Sequence, residues 1–335
     1  MSATPSRSLS DAWRLGNLTV PNRVVLAPLA GIGNWFVRLQ AKRHGAGMAV
    51  SEMVSSFAVH HGNERTHTEM LRIHPQERAG GPVAVQLFGQ DPGVMRSAAR
   101  TVAQAGADVI DLNMGCPVPK VMKTGAGVAL LEDHDLAVAV ATAAREGGGV
   151  PVTVKLRSGL KAGDRSGVGL AHRLVADAGV SAIGFHPRAA QVHHKGQPDL
   201  ELARQLVAEL PVPVILSGGM RDPGWIRRAW EQTGAEAVML ARGALGDPWL
   251  FRALVDDAVA QPSTEEILAE LDWVMERAVE HLGARRAARY LRKCYPWYVE
   301  RMGGDKRLQA ALQATDDVAA ARAVLQRRVP LFVAA

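Results

Sequence analysis

Eight short runs rich in Val, Ile and Leu recur over the first 241 residues: 23–27, 47–52, 82–88, 107–112, 151–157, 181–186, 212–217 and 235–241. Between them the apolar residues return at helical spacing. The run Ala107–Leu112 is apolar apart from two aspartates and is bounded by glycines, which predicts a strand buried on both faces. Eight such runs with crossover-length helices between them are what a (β/α)8 TIM barrel, an α/β fold, requires.

The punctuation agrees with that reading. Gly106, Gly179 and Gly234 each stand between the end of a helical stretch and the next run, where a helix C-terminal glycine is favoured. Asp91-Pro92 and Asp222-Pro223 read as helix N-caps followed by proline in the first turn. After Pro248-Trp249 the alternation stops. Ser263-Thr264-Glu265-Glu266 is a capping signal, and the pattern from Ile267 onward is helical, with turns at Gly303-Gly304 and around Thr315-Asp316. The expected organisation is therefore a disordered leader (1–22), a barrel (23–258) and a small C-terminal α-helical domain (259–335).

Composition narrows the class. The chain has 335 residues, 47% of them hydrophobic and 21% charged, as in an ordinary globular protein. Two distant cysteines, Cys116 and Cys294, exclude a disulfide scaffold and a cysteine zinc cluster, and predict a cytoplasmic protein. No apolar stretch has membrane-spanning length. The net charge of +6 is local: residues 281–328 hold 11 Lys/Arg against 4 Asp/Glu, leaving 28 against 29 elsewhere. A basic C-terminal face points to a polyanion such as nucleic acid, or is a solvated helix face. Arg285, Arg286, Arg289, Arg292 and Lys293 fall at helical spacing there. Tyr295, Trp297 and Tyr298 follow, either as stacking surfaces or as the domain's core.

If the runs are barrel strands, their carboxyl ends share one mouth. Those ends carry Pro28-Leu29-Ala30, Glu52, Gln86, Asn113 and Cys116, Lys155 and Arg157, His186 and Arg188, Ser217-Gly218-Gly219, and Ala241-Arg242-Gly243. The last two groups combine small residues with an arginine after strands seven and eight, the recurrent phosphate position of such barrels. Cys116 is either a packed thiol or a reactive one, and Gln86 and Glu52 are either site residues or satisfied buried groups. The histidines at 60, 61, 67, 74, 193 and 194 have no metal-ligand spacing, so no metal is expected.

In these residues the chain resembles the tRNA-dihydrouridine synthases, from about Arg23 to Arg328. The marks are APLAG at 27–31, SEM at 51–53, QLFG at 86–89, DLNMGCPVPKV at 111–121, GAG at 125–127, KLRSG at 155–159, HPR at 186–188, SGG at 217–219 and RKCYPWY at 292–298. The resemblance implies FMN as cofactor, NADPH (or NADH) as reductant, and reduction of the C5=C6 bond of uridine in tRNA. It implies flavin contacts from Pro28, Leu29, Ala30, Gln86 and Lys155. Phosphate contacts would come from Ser217, Gly218, Gly219, Ala241 and Arg242, with His186 nearby. Cys116 would be the proton donor, Asn113 and Arg157 would bind the base, Arg188 would also bind the substrate, and Arg289, Arg292 and Lys293 would hold tRNA. A monomer is expected. Ser217, Ala189, Ala241 and Cys294 depart from residues common in that family. The alternatives are an FMN barrel acting on a free pyrimidine or another small unsaturated molecule, and an RNA-binding or tRNA-folding protein that has lost its chemistry.

Overall fold

The computed structural model describes residues 7–256 and 261–328. The chain divides into two compact units, one of Met1–Gly243 with Phe251–Asp257, the other of Ala244–Leu250 with Ala258–Ala335. The expected boundary between residues 258 and 259 lies outside the described residues.

All eight apolar runs are strands, and they close into one parallel barrel in chain order: β3 (Val24–Leu26), β4 (Met48–Ser55), β5 (Val83–Phe88), β6 (Val109–Met114), β7 (Val152–Arg157), β8 (Ala182–His186), β9 (Val214–Ser217) and β10 (Ala237–Leu240). The seam forms where β10 pairs with β3, Val238 opposite Val24. Most strand residues are buried on both faces, because helices cover the outside and packed side chains fill the inside. The covering helices include α1 (Trp35–Arg43), α2 (Pro92–Gln104), α3 (His134–Gly148), α4 (Ser166–Ala178), α5 (Leu200–Glu209) and α6 (Pro223–Thr233). The caps are as the sequence signals: Asp91 accepts from Val94 N and Asp222 from Trp225 N, and α4 and α6 end on left-handed Gly179 and Gly234. β4 is bulged between Val50 and Met53, where the buried Ser51 hydroxyl accepts the Gln86 amide at 3.0 Å.

The segment expected as a disordered leader is ordered from residue 7. β1 (Trp13–Leu15) and β2 (Leu18–Val20) form an antiparallel hairpin about Gly16-Asn17. Its alternation puts Trp13, Leu15 and Val20 inward, against Val25, Met48, Ala84, Val109, Ile215 and Ala237 at the amino-terminal end of the barrel. Arg14 and Thr19 remain outside, bonded to each other at 2.7 Å. Burial of large apolar side chains, each contributing about 1.5–3 kcal/mol, offsets the entropy of ordering this short segment. Upstream, Arg7 donates to the carbonyls of Gly234 and Ala235, and Arg23 pairs with Glu236, so the N-terminal segment is laced across the β10–β3 seam.

The second unit is helical: α7 (Thr264–Leu282), α8 (Ala284–Leu291), α9 (Tyr295–Arg301), α10 (Lys306–Gln313) and α11 (Val318–Arg328). The Ser263–Glu266 capping box starts α7. Tyr295 and Tyr298 are core residues here, buried with Leu271, Met275, Leu308 and Leu312, which settles their open reading in favour of packing. Cys294 is buried as well, and burial pushes its thiol up to about 12. Arg285, Arg286, Arg289 and Lys293 are exposed on this unit. Arg292 instead turns back, its Nη2 donating to Thr315 O at 3.0 Å and Asp316 Oδ1 at 2.8 Å.

Candidate active site

The carboxyl ends of the barrel strands open into a cavity of about 470 Å3. Fifteen of the strand-end residues singled out in the sequence line it: Pro28, Ala30, Gln86, Asn113, Cys116, Lys155, Arg157, His186, Arg188, Ser217, Gly218, Gly219, Ala241, Arg242 and Gly243. Leu29 does not. Pro28 and Ala30 face the cavity while Leu29 is buried away from it, its carbonyl closing the turn that follows by accepting from Ile32 and Gly33. Arg289, Arg292 and Lys293 belong to the helical unit. Glu52 is spent on a turn, its Oε2 accepting Gly31 N at 2.8 Å.

One side of the cavity is polar and organised on β5, β6 and β7. Gln86 Nε2 donates to Asp111 Oδ2 at 2.6 Å, and Asn113 Nδ2 donates to Gln86 Oε1 at 2.9 Å. Asn113 Oδ1 accepts the backbone amides of Gly115 at 3.3 Å and Cys116 at 2.9 Å. The half-buried Cys116 is therefore held by the strand that precedes it. From the other side the GAG segment closes in: Val128 N donates to Cys116 O at 3.1 Å, and a side chain at Gly127 would lie 2.7 Å from that carbonyl. Val118 is 47% exposed on the cavity wall, a large apolar side chain left open to solvent.

The cations are strongly perturbed. Lys155 Nζ donates to Ser217 Oγ at 3.2 Å, and burial, reinforced by Arg157, lowers its ammonium to about 8. Ser217, in turn, donates to Phe185 O, so the departure at 217 ties β7, β8 and β9 together. Arg157 is buried and braces two loops, donating to Gly115 O after β6 and to Ala189 O and His193 O after β8. Burial lowers its guanidinium to about 10. His193 carries a left-handed φ of 51°, which that contact helps to hold.

At the opposite wall Gly218 (φ 107°) and Gly219 (φ 79°) lie against His186 and Arg188. Arg188 Nη1 donates to His186 Nε2 at 3.2 Å and Nη2 to Gly196 O at 2.7 Å, while its buried Nε has no partner among the described residues. The side-chain hydrogen bonds of Arg188 thus go to His186 and Gly196, beside the Gly218-Gly219 loop. Burial first, and then Lys155, Arg157 and Arg188, drive the His186 imidazole far below its usual range. It is neutral, and since Nε2 accepts from arginine, Nδ1 carries the proton. His194 stacks on it at 6.1 Å and is lowered to about 4, by burial and then by Arg242. The amides of Gly218 and Gly219 donate to no acceptor among the described residues.

Sequence reasoning missed Asp111 and Thr153, whose Oγ1 donates to Asp111 Oδ1 at 2.5 Å. The available signal was an acid two residues before Asn113 in an otherwise apolar strand. His194 went unassigned as well. Among the described residues no three His, Cys, Asp or Glu side chains gather as a metal set, and no helix is long and apolar enough to cross a membrane.

Comparison with known proteins bears on what this cavity does. The family model described as dihydrouridine synthase (Dus) matches residues 25–333. The tRNA-dihydrouridine synthase B of Pseudomonas aeruginosa is 34% identical over 311 residues, 91% of this chain and 92% of that one. The protein of the same name from Xanthomonas axonopodis pv. citri is 33% identical over 294 residues, 86% of each chain. Among solved structures, morphinone reductase in complex with tetrahydroNAD superposes with a TM-score of 0.56 at 17% identity, covering 78% of this chain and 94% of that one. An old yellow enzyme homologue from Zymomonas mobilis gives 0.57 at 18% identity, covering 78% and 96%. These two share the barrel fold.

Proposed function

Since this chain belongs to the dihydrouridine synthase family, we propose that it reduces the C5=C6 bond of uridines in tRNA to 5,6-dihydrouridine, using bound FMN and NADPH or NADH as reductant. The observation that carries this reading is the pairing, in one cavity, of a half-buried thiol at one wall with an anion cradle at the other.

The residues present fit a flavin mononucleotide. Gly218 and Gly219 offer backbone amides, and a Cβ at Gly218 would fill the space against His186. Arg188 brings a buried Nε without a partner, Arg242 a second guanidinium, and neutral His186 an Nδ1–H. Together with Ser217 and Ala241 these groups would hold the phosphate, and Arg188 is assigned there on its contacts. Pro28, Ala30, Gln86 and Lys155 would border the ring, where the buried ammonium of Lys155 favours negative charge. Bound there, the flavin would carry the hydride from the reductant to C6 of the base.

The chain's own part in the chemistry is to bring the base in, hold it and deliver a proton. Cys116 Sγ holds that proton and gives it to C5, and the thiol is then recharged from solvent. Arg157 would bind the uracil edge through its Nη2, which its loop contacts leave over, and Asn113 through the Nδ2 hydrogen that otherwise rests on Met53 Sδ at 3.7 Å. A stacked or looped uridine must leave the tRNA to reach the cavity, and exposed Val118 provides an apolar surface beside Cys116 for it. Arg285, Arg289 and Lys293 would meet phosphates of the tRNA body.

The test is anaerobic single-turnover reoxidation of the reduced protein, followed in the visible flavin band. Unmodified tRNA is expected to reoxidise it rapidly and free uridine hardly at all. The Cys116→Ala variant is expected to keep flavin and tRNA binding and to lose most turnover. Reoxidation by small enones or free pyrimidine but not by tRNA would replace the tRNA reading with the small-molecule one.

A further inference from the structure

The polar wall beneath Cys116 is a chain of hydrogen bonds with a fixed direction. Asp111 has two acceptors and no donor when ionised, and both are occupied, Oδ1 by the Thr153 hydroxyl and Oδ2 by the Gln86 amide nitrogen. An amide is indifferent to a 180° flip in shape but not in hydrogen bonding. With its nitrogen committed to Asp111, Gln86 can present only its oxygen to Asn113. Asn113 must then answer with its nitrogen, which leaves its oxygen for the amides of Gly115 and Cys116. Each step forces the next, and the two ends agree: Asp111 can only accept, and the backbone amides of Gly115 and Cys116 can only donate. We propose that Asp111 is the positioning residue of this site: through Gln86 and Asn113 it selects the amide orientations that hold the backbone of the Cys116 loop.

Asp111 is 2% exposed, and it touches Gln86 on the cavity wall while not lining the cavity itself. Thr153, Gln86 and Lys155 are the groups it faces. Burial raises its carboxyl to about 6, opposed by those three, so at pH 7 it is ionised and purely an acceptor. Asparagine at this position can carry the relay in the same direction, because the Gly115 and Cys116 N–H groups hold Asn113 Oδ1 and so keep Asn113 Nδ2 on Gln86 Oε1. Its oxygen accepts from Gln86, and its nitrogen donates to Thr153 Oγ1, which is both donor and acceptor. Leucine, of similar shape, accepts from nothing and leaves Gln86 Nε2 buried without its acceptor, so that end of the relay is no longer held. Geometry and charge are thereby separated by two substitutions at one site.

The inference deepens the proposed reaction by naming what holds its proton donor, yet its test needs neither tRNA nor flavin. Hydrogen exchange of the Gly115 and Cys116 amides is measured in the full chain, apo, for wild type, Asp111→Asn, Asp111→Leu and Asn113→Ala, with melting curves alongside. Asp111→Leu and Asn113→Ala are expected to lose protection at these two amides by at least tenfold, while Asp111→Asn stays within twofold of wild type. In turnover with tRNA, Asp111→Leu is expected to lower kcat at least tenfold with KM within about twofold, and Asp111→Asn to restore kcat. Unchanged protection in a folded Asp111→Leu variant overturns the relay. Should that variant fail to fold, the wild type decides: the side-chain amide protons of Gln86 and Asn113 must show slow exchange by NMR, and free exchange overturns the relay. Relay behaviour in the apo protein with no turnover of tRNA would refute the proposed reaction and leave the relay standing.

Discussion

Replacing Gly218 by alanine tests whether the glycine loop is built for backbone approach. At φ 107° an L side chain is strained, at a cost of about 1–3 kcal/mol. The new Cβ would also lie 2.4 Å from Cδ2 and 2.5 Å from Nε2 of His186. That ring has little room to yield, being 6% exposed, bonded to Arg188 and stacked on His194. Overpacking of this kind costs about 1–3 kcal/mol more. The combined penalty is therefore about 2–6 kcal/mol, to be found either in the stability of the barrel or in the affinity for the flavin phosphate, depending on whether the loop holds its path or moves. Urea unfolding of the apo protein measures the first and fluorescence titration with FMN the second, where 2 kcal/mol is about 30-fold in Kd. Gly224→Ala is the control: it lies in the first turn of α6 with no such φ, and its nearest neighbours would be Arg228 Nη1 at 3.3 Å and Asp222 Oδ1 at 3.4 Å. It should be neutral or stabilising by up to about 1 kcal/mol. A Gly218→Ala protein within about 0.5 kcal/mol of wild type in both assays would refute the reasoning.

Trp13→Ala removes the largest side chain of the hairpin plug and the 2.9 Å bond from its Nε1 to Asn22 O, and is expected to cost about 3–5 kcal/mol in urea unfolding. A loss under about 1 kcal/mol would show that the hairpin is dispensable. Asp111 titrates near 6 when folded against an ordinary 3.8, so the folded chain binds the extra proton in that window and wild-type stability falls as pH rises through it. The stability difference between Asp111→Asn and wild type should grow by up to about 3 kcal/mol from pH 4 to pH 7, and a difference flat across that window contradicts the assignment. On the helical unit, Arg289→Ala/Lys293→Ala is expected to flatten the salt dependence of tRNA binding by about 1.5 in log–log slope with no change in melting. Arg292→Ala should lower stability by about 1 kcal/mol, since its guanidinium closes the turn at Thr315-Asp316. The opposite pattern would exchange the two roles.

The eight barrel strands were legible because apolar runs of strand length, closed by turn residues, leave few other structures open, and polar residues crowd one end of nearly every run. Fifteen cavity residues, Gly243 among them, followed from that single geometric rule. The hairpin was hidden by its size. Trp13-Arg14-Leu15 and Leu18-Thr19-Val20 do alternate about Gly16-Asn17, but three-residue strands carry too little pattern to outweigh their polar surroundings. Arg188, Arg292 and Asp111 show a different limit. Each could be placed on an element by its spacing, yet its partner is 8 to 42 residues away in sequence, in Gly196, Asp316 and Thr153, and no local pattern names it.

The lacing of residues 7–23 across the seam has a consequence for synthesis. Trp13, Leu15 and Val20 are made well before Ile215, Ala237 and Met239, which are part of the floor they cover, and Arg23 well before its partner Glu236. At about 5–20 residues per second, roughly 10–45 seconds pass on the ribosome before the last of these partners exists. Throughout that interval a tryptophan, a leucine and a valine of the nascent chain lack part of their cover. Slowed elongation before residue 240 therefore extends exposure of the same patch, and chaperone engagement should track the position of the ribosome and fall once β10 has emerged.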